Sequence, residues 1–232
     1  MHDLSIPVKS MQLWPQYMFV TKYRDWPFIK NDLVSAVNTL ASEQETRIES
    51  GISERMKSEG LIEGDFDLLK RKDRFPVLDK LQKFFEEAVH DVVTHALPLE
   101  NEQFALNEQI DPHVVLTDCW YHKTNDSGSH SIHTHPGNSW AGIFYVQSSE
   151  CSIEEDNGVN RFYNTQSPMG IGDVGSMWYN NYCVFDVQPT EGTLVLFPAW
   201  VYHEGRPYKG KEDRIVISFN SVTLDKNHAD FK

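Results

Sequence analysis

VQPTEGTLVLFPAWVYHEGRPYKGKEDRIVISFN, residues 187–220, is the stretch on which the fold turns. Pro189 and Gly192 bracket a turn, Thr193 to Phe197 reads as a buried strand, and Pro198 ends it. His203 then stands on the way into a further strand, and Arg214 opens the apolar run IVISFN. Side chains alternate across a strand, so Arg214, Val216, Ser218 and Asn220 share one face. An arginine continuous with apolar strand residues is desolvated, and its rigid donor fork matches a carboxylate at two points.

Upstream, HVVLTDCWYH, WAGIFYV, RFYN and CVFDV are also short runs rich in Val, Ile, Tyr, Phe and Trp, separated by Gly, Pro, Asn and Asp. The first hundred residues differ. Leu78, Leu81, Phe84, Phe85, Ala88, Val89, Val92, Val93, Ala96 and Leu97 recur at helical spacing, predicting one amphipathic helix closed by Pro98. Asn31 and Asp32 precede Leu33, Val34, Val37 and Leu40, which predicts an N-cap and a second helix. MQLWPQYMFVTKY, residues 11–23, suits an edge strand because of its proline. Residues 42–77, polar and broken by glycines, read as loop with short helical pieces and as a candidate lid. Helices first and strands later predict a β-sandwich or barrel with helices on one face.

A chain of 232 residues suffices for one domain. We expect a single domain over 1–232: strand and helical support over 1–112, a β core over 113–221, and a polar tail over 222–232. The formal charge of -13 argues against nucleic acid, whose binding draws on Lys and Arg clusters. The N-terminus has no basic stretch followed by an apolar core, and no window has the ~18 apolar residues of a membrane span, so a soluble, cytoplasmic protein is expected. Cys119, Cys151 and Cys183 are three and widely spaced, which fits free thiols rather than a disulfide framework or a zinc knuckle. MGIGDVGSMWYNNY, residues 169–182, lacks phosphate-loop spacing and reads as a loop.

His133 and His135, in HTHPGN, are two apart. On a strand that spacing turns both imidazoles to one side, where they can share an ion or merely form a polar strand end. His130 is placed outside the first ligand set. His2, His90, His95, His113, His122 and His228 are given surface or satisfied core roles.

The order HxH, strand GIFYV, turn, strand LVLFP, histidine, then RIVISFN resembles the iron(II)- and 2-oxoglutarate-dependent oxygenase superfamily. The likeness is specific over about residues 113–221 and is nearest to a branch with H-x-H-P, FP..H and R-I-S-I-S-F-N motifs. It implies a double-stranded β-helix, a jelly roll with metal in its mouth. It further implies His133 and His203 as metal ligands, Arg214 and Tyr145 as donors to the far carboxylate of 2-oxoglutarate, and Ser218 beside the cosubstrate. His135 stands where most members carry a carboxylate. Three readings remain: His135 is the third ligand; a carboxylate such as Glu154, Glu155 or Asp156 arrives from the next turn; or two histidines bind alone.

The implied reaction consumes O2, releases succinate and CO2, and hydroxylates a C–H bond of an unidentified small-molecule or protein substrate. Trp120, Tyr121, Trp140, Trp178 and Tyr179 are candidates for the pocket wall. Alternatives are a cupin-like three-histidine metalloenzyme that does not use 2-oxoglutarate, and a non-catalytic jelly-roll binding module. The oligomeric state stays open, a homodimer included.

Overall fold

The computed structural model describes residues 16–44, 58–100, 110–165 and 183–227. The strands in these segments are β1 (Phe19–Lys22), β2 (Leu61–Glu63), β3 (Pro112–Thr124), β4 (Gly128–His133), β5 (Trp140–Gln147), β6 (Asn160–Tyr163), β7 (Val184–Val187), β8 (Thr193–Pro198), β9 (His203–Tyr208) and β10 (Arg214–Asp225). The helices are α1 (Trp26–Gln44), α2 (Val77–Asp91) and the single turn α3 (Leu97–Glu100). Two antiparallel sheets face each other, in the orders β1-β8-β5-β10-β3-β2 and β4-β9-β6-β7. This is the expected double-stranded β-helix architecture, mainly β with helices packed on one sheet.

The continuous apolar runs arise because the central strands are covered on both faces. Along β5, Trp140, Phe144 and Val146 join the cluster beneath the helices, whereas Ala141, Ile143 and Tyr145 join the cluster between the sheets. Strand β8 divides likewise, with Leu194 and Leu196 outward to the helices and Val195 and Phe197 inward. On β10, Ile215, Ile217 and Phe219 face the helices and Val216 faces inward. Phe85 of α2 stacks on Phe219 at 4.4 Å between centroids, and each ring is fully buried. Burying a phenylalanine contributes about 2–3 kcal/mol, so the helical layer fixes the outer face of the sheet that bears the site. Gly142 on β5 is what lets Phe219 lie flat: a Cβ there would fall 2.3 Å from the Phe219 ring.

Several helical boundaries differ from the sequence reading. α1 begins at Trp26, not after Asn31 and Asp32, because buried Trp26 and Ile29 carry its apolar stripe further back and Pro27 is tolerated in a first turn. The long helix does not end at Pro98. α2 stops at Asp91, a π turn spans Val92–Ala96, and Pro98 sits within α3. A proline removes the hydrogen bond to the residue four earlier and crowds that carbonyl, and a widened turn just before it relieves the clash.

Within 42–77, α1 runs on to Gln44, and β2 and a 3₁₀ turn (Leu68–Arg71) follow; residues 45–57 of the candidate lid lie outside the described residues. β2 completes the edge of the larger sheet against β3, and β1 forms its other edge, as read for residues 11–23. β10 extends to Asp225, past the boundary expected at 221. Among the described residues no helix is long and apolar enough to cross a membrane. Cys119, Cys151 and Cys183 are free thiols, the first two buried.

Candidate metal centre

β4 and β9 pair irregularly: Gly128 faces Tyr208, His130 faces Gly205, and His133 faces His203, with the register shifting between each pair. Bulges of this kind re-aim side chains and release backbone groups from the ladder. Here they turn His133 and His203 toward each other at the open end of the sandwich, ring centroids 4.3 Å apart.

His135 lies beyond the end of β4, so strand alternation is not what aims it. Its N–H donates to Ala199 O at 2.8 Å, tying the HTHPGN turn to the end of β8, and its ring stands 5.0 Å from that of His133 and 5.1 Å from that of His203. The Nε2 atoms of His135 and His203 are 3.3 Å apart. Two nitrogens each ~2.1 Å from one ion, at tetrahedral to octahedral angles, are about 3.0–3.4 Å apart. The ligand nitrogens of His133, His135 and His203 all lie within 4.8 Å of one another.

Their tautomers suit the task. His203 Nδ1–H donates to Val201 O at 3.0 Å, and His133 Nδ1–H donates to Ser131 O at 2.7 Å, so each keeps an Nε2 lone pair. The rings of Phe162 and Phe197 pack on His203 at 5.6 and 4.7 Å and exclude water. Burial, then the neighbouring imidazoles, pushes the pKa of His203 down to about 3 and of His135 down to about 4, with His133 also far below the ordinary value. All three are therefore neutral near pH 7, the form that binds metal.

The cleft that these histidines line is also lined by Trp120, Arg214, Ser218 and Asn160. Arg214 is 4% exposed, and its Nη2 donates to Asn160 Oδ1 at 2.7 Å. Its Nε is buried and has no hydrogen-bond partner among the described residues. A buried cation with an unused donor at the wall of a cleft fits an anionic ligand, since leaving that donor unmade costs ~1–3 kcal/mol. Tyr145 does not line the cleft itself. Its hydroxyl donates to Asn160 Oδ1 at 3.1 Å, one layer behind. Arg214 and Ser218 reach the cleft directly.

Other expected residues are placed elsewhere. Tyr121 faces α1, donating to Gln44 Oε1 at 2.8 Å, and Trp140 packs on Phe19 in the helical core; neither walls the pocket. Trp178 and Tyr179 lie outside the described residues, as do His2 and His228. The turn holding Glu154, Glu155 and Asp156 sends no carboxylate to the histidines. Glu154 and Glu155 are exposed, and Asp156 accepts from Arg161 Nη2 at 3.0 Å and Arg206 Nε at 3.1 Å, which hold its carboxyl below the usual range.

A carboxylate does stand beside two other histidines, at the far edge of the larger sheet. Glu63 of β2, His122 of β3 and His130 of β4 form a two-histidine, one-carboxylate set, the composition of the non-haem iron facial triad, with ligand atoms within 4.8 Å of one another. Glu63 Oε1 is 3.0 Å from His122 Nε2 and 3.6 Å from His130 Nε2. Burial pushes the His122 pKa down to about 4, against the pull of Glu63. His122 and His130, expected outside the first ligand set, line the same cleft as His133, His135 and His203. His122 was legible in part, because in HVVLTDCWYH it shares a strand face with Trp120. Glu63 carried no signal, since β2 is three residues long.

A family model described as "Putative 2OG-Fe(II) oxygenase" matches residues 118–220, a segment that holds all five histidines of the two clusters and Arg214. Among solved structures the chain is similar to a prolyl-4-hydroxylase of Pseudomonas putida, at 12% identity and TM-score 0.50 over 89% of this chain and 93% of that one. It is similar to a prolyl hydroxylase of Trichoplax adhaerens solved with a hypoxia inducible factor peptide, at 12% identity and TM-score 0.56 over 88% and 83%. It is also similar to AviO1 of Streptomyces viridochromogenes Tue57, at 12% identity and TM-score 0.55 over 89% and 90%. No curated protein matches. At these identities the structures speak for the fold, which agrees with the two sheets described above. Residues 118–220 thus match a 2OG-Fe(II) oxygenase family model, within a double-stranded β-helix similar to the fold of the prolyl hydroxylases.

Proposed function

We propose that the protein is an iron(II)- and 2-oxoglutarate-dependent dioxygenase in which His133, His135 and His203 hold the iron and Arg214 binds the cosubstrate. The observation that carries this reading is the buried Arg214, which lines the same cleft as three neutral imidazoles. Glu63 lies outside the family-matched segment, which favours the histidine set for the catalytic iron. Iron(II), with 2-oxoglutarate and O2, would supply the oxidant for a substrate C–H bond, yielding succinate and CO2.

The chain's own contribution is placement and exclusion. Val201 O and Ser131 O hold the Nδ1 protons, which leaves the Nε2 lone pairs of His203 and His133 free for an ion. Arg214, steadied by Asn160, presents a fixed charge to the far carboxylate, and Tyr145 steadies Asn160 from behind. Ser218, on the same face of β10, offers a hydroxyl to the cosubstrate. A third neutral ligand in place of a carboxylate leaves one more positive charge on the metal.

Succinate formation from 2-oxoglutarate, followed with and without added iron(II), tests the reading. Iron-dependent succinate release above the chelated control is expected. Iron bound stoichiometrically by His133, His135 and His203 with no succinate and no 2-oxoglutarate binding would favour a three-histidine metalloenzyme of another kind.

A further inference from the structure

We propose that Glu63, His122 and His130 hold a second divalent cation beside the iron, making the mouth of the sandwich a two-cation site. This rests on the reading that His133, His135 and His203 hold the first.

The two ligand sets are built as neighbours around one backbone carbonyl. The register shift between His130 and His133 leaves Ser131 O within 2.7 Å of His133 Nδ1 and 3.2 Å of His130 Nδ1, the two Nδ1 atoms being 3.1 Å apart. A carbonyl oxygen has two lone pairs and accepts from both. It thereby sets both rings in the same tautomer and frees both Nε2 atoms. His133 joins one set, while His130 Nε2 lies on the Glu63 side, 3.6 Å from Oε1.

The second set also contains a juxtaposition that a cation resolves. Trp120 Nε1–H, a donor only, donates to His122 Nε2 at 3.1 Å, so that nitrogen is an acceptor. Glu63 Oε1 lies 3.0 Å from the same nitrogen, and an ionised carboxylate is an acceptor too. Two acceptors at that distance need a proton or a cation between them. Glu63 and His130 are 6% and 8% exposed, so bulk water does not screen the pair. With a cation in place, the His122 lone pair and the carboxylate turn to the ion. Two imidazoles and a carboxylate suit a borderline divalent ion such as iron(II), cobalt(II) or zinc(II).

The test uses the full chain, freed of metal with a chelator and titrated anaerobically with cobalt(II), with bound cobalt per chain measured after equilibrium dialysis. The wild type should bind two equivalents. Glu63→Gln, which keeps the shape and removes the charge, should weaken the second equivalent by at least ~10-fold and leave the first. His130→Gln is the second variant, with folding of each checked by near-ultraviolet circular dichroism. His203→Ala should retain only the equivalent that Glu63→Gln loses. One wild-type equivalent, unaffected by Glu63→Gln and lost in His203→Ala, would overturn the second site and leave the iron assignment standing. One equivalent lost in Glu63→Gln and kept in His203→Ala would instead overturn the iron assignment, with Glu63, His122 and His130 as the sole metal set.

Discussion

Arg214 and Tyr145 converge on a single atom: Asn160 Oδ1 accepts from the guanidinium at 2.7 Å and from the phenol at 3.1 Å. One amide oxygen on β6 thus ties β10 to β5 across the sandwich and holds Arg214 in one orientation. Arg214→Ala is expected to weaken 2-oxoglutarate binding by about 10–100-fold, the range for a lost charge-assisted hydrogen bond, with iron still bound. Tyr145→Phe, acting through Asn160, should cost about 2–10-fold. Calorimetric titration of 2-oxoglutarate into the anaerobic iron(II) protein measures both. Unchanged affinity in Arg214→Ala would remove Arg214 from the cosubstrate site.

His203 is the histidine whose surroundings are most committed to one position, between two phenylalanine rings and the Val201 carbonyl. Elemental analysis of His203→Ala should show loss of the iron-binding equivalent and of succinate release together. Retention of iron at wild-type affinity would mean that the ion is held elsewhere.

Acid should destabilise the metal-free protein early. His203, His135 and His122 have pKa values pushed down to between about 3 and about 4 in the folded chain, whereas unfolding restores the ordinary value near 6.5. Below ~6.5 the unfolded chain takes up protons that the folded one refuses. Stability is therefore expected to fall as pH drops from about 6.5 toward about 4, and to be flat for these groups above ~7. Urea midpoints of the chelated protein across this range measure it, and a midpoint unchanged down to pH 4.5 would contradict the burial of neutral histidines.

The outer face of the sheet should be intolerant where Gly142 meets Phe219. A Cβ 2.3 Å from the Phe219 ring, itself stacked on Phe85, forces three packed elements apart, and Gly142→Ala should cost ~1–3 kcal/mol. Phe85→Ala, which opens a cavity at the same contact, should cost ~3–5 kcal/mol. Thermal melts check both, and a melting temperature unchanged by either would contradict this packing.

The sequence was most legible where a strand is buried on both faces. β5, β8 and β10 are apolar throughout, and the parity of Arg214, Val216 and Ser218 correctly gave the inward face. β9, HEGRPY, was not legible as a strand, because it belongs to the smaller sheet and carries Gly, Pro and charges, yet its first residue is His203. His135 was named by spacing, but it is aimed by a turn anchored to Ala199. Glu63 and His122 are 59 residues apart, and only the sheet order β10-β3-β2 brings them together. No local periodicity encodes that order. The carboxylate expected from residues 154–156 does not reach the histidines, because Asp156 pairs with Arg161 and Arg206.

At the centre stands the proposal that iron held by His133, His135 and His203 shares its cleft with 2-oxoglutarate held by Arg214. Its most direct test is an anaerobic titration of 2-oxoglutarate into the iron(II) protein, followed by visible absorption and repeated with Arg214→Ala. A weak visible charge-transfer band is expected, saturating at one equivalent in the wild type and needing about 10–100-fold more cosubstrate in the variant. A fully iron-loaded wild type that shows no band at saturating 2-oxoglutarate would contradict it.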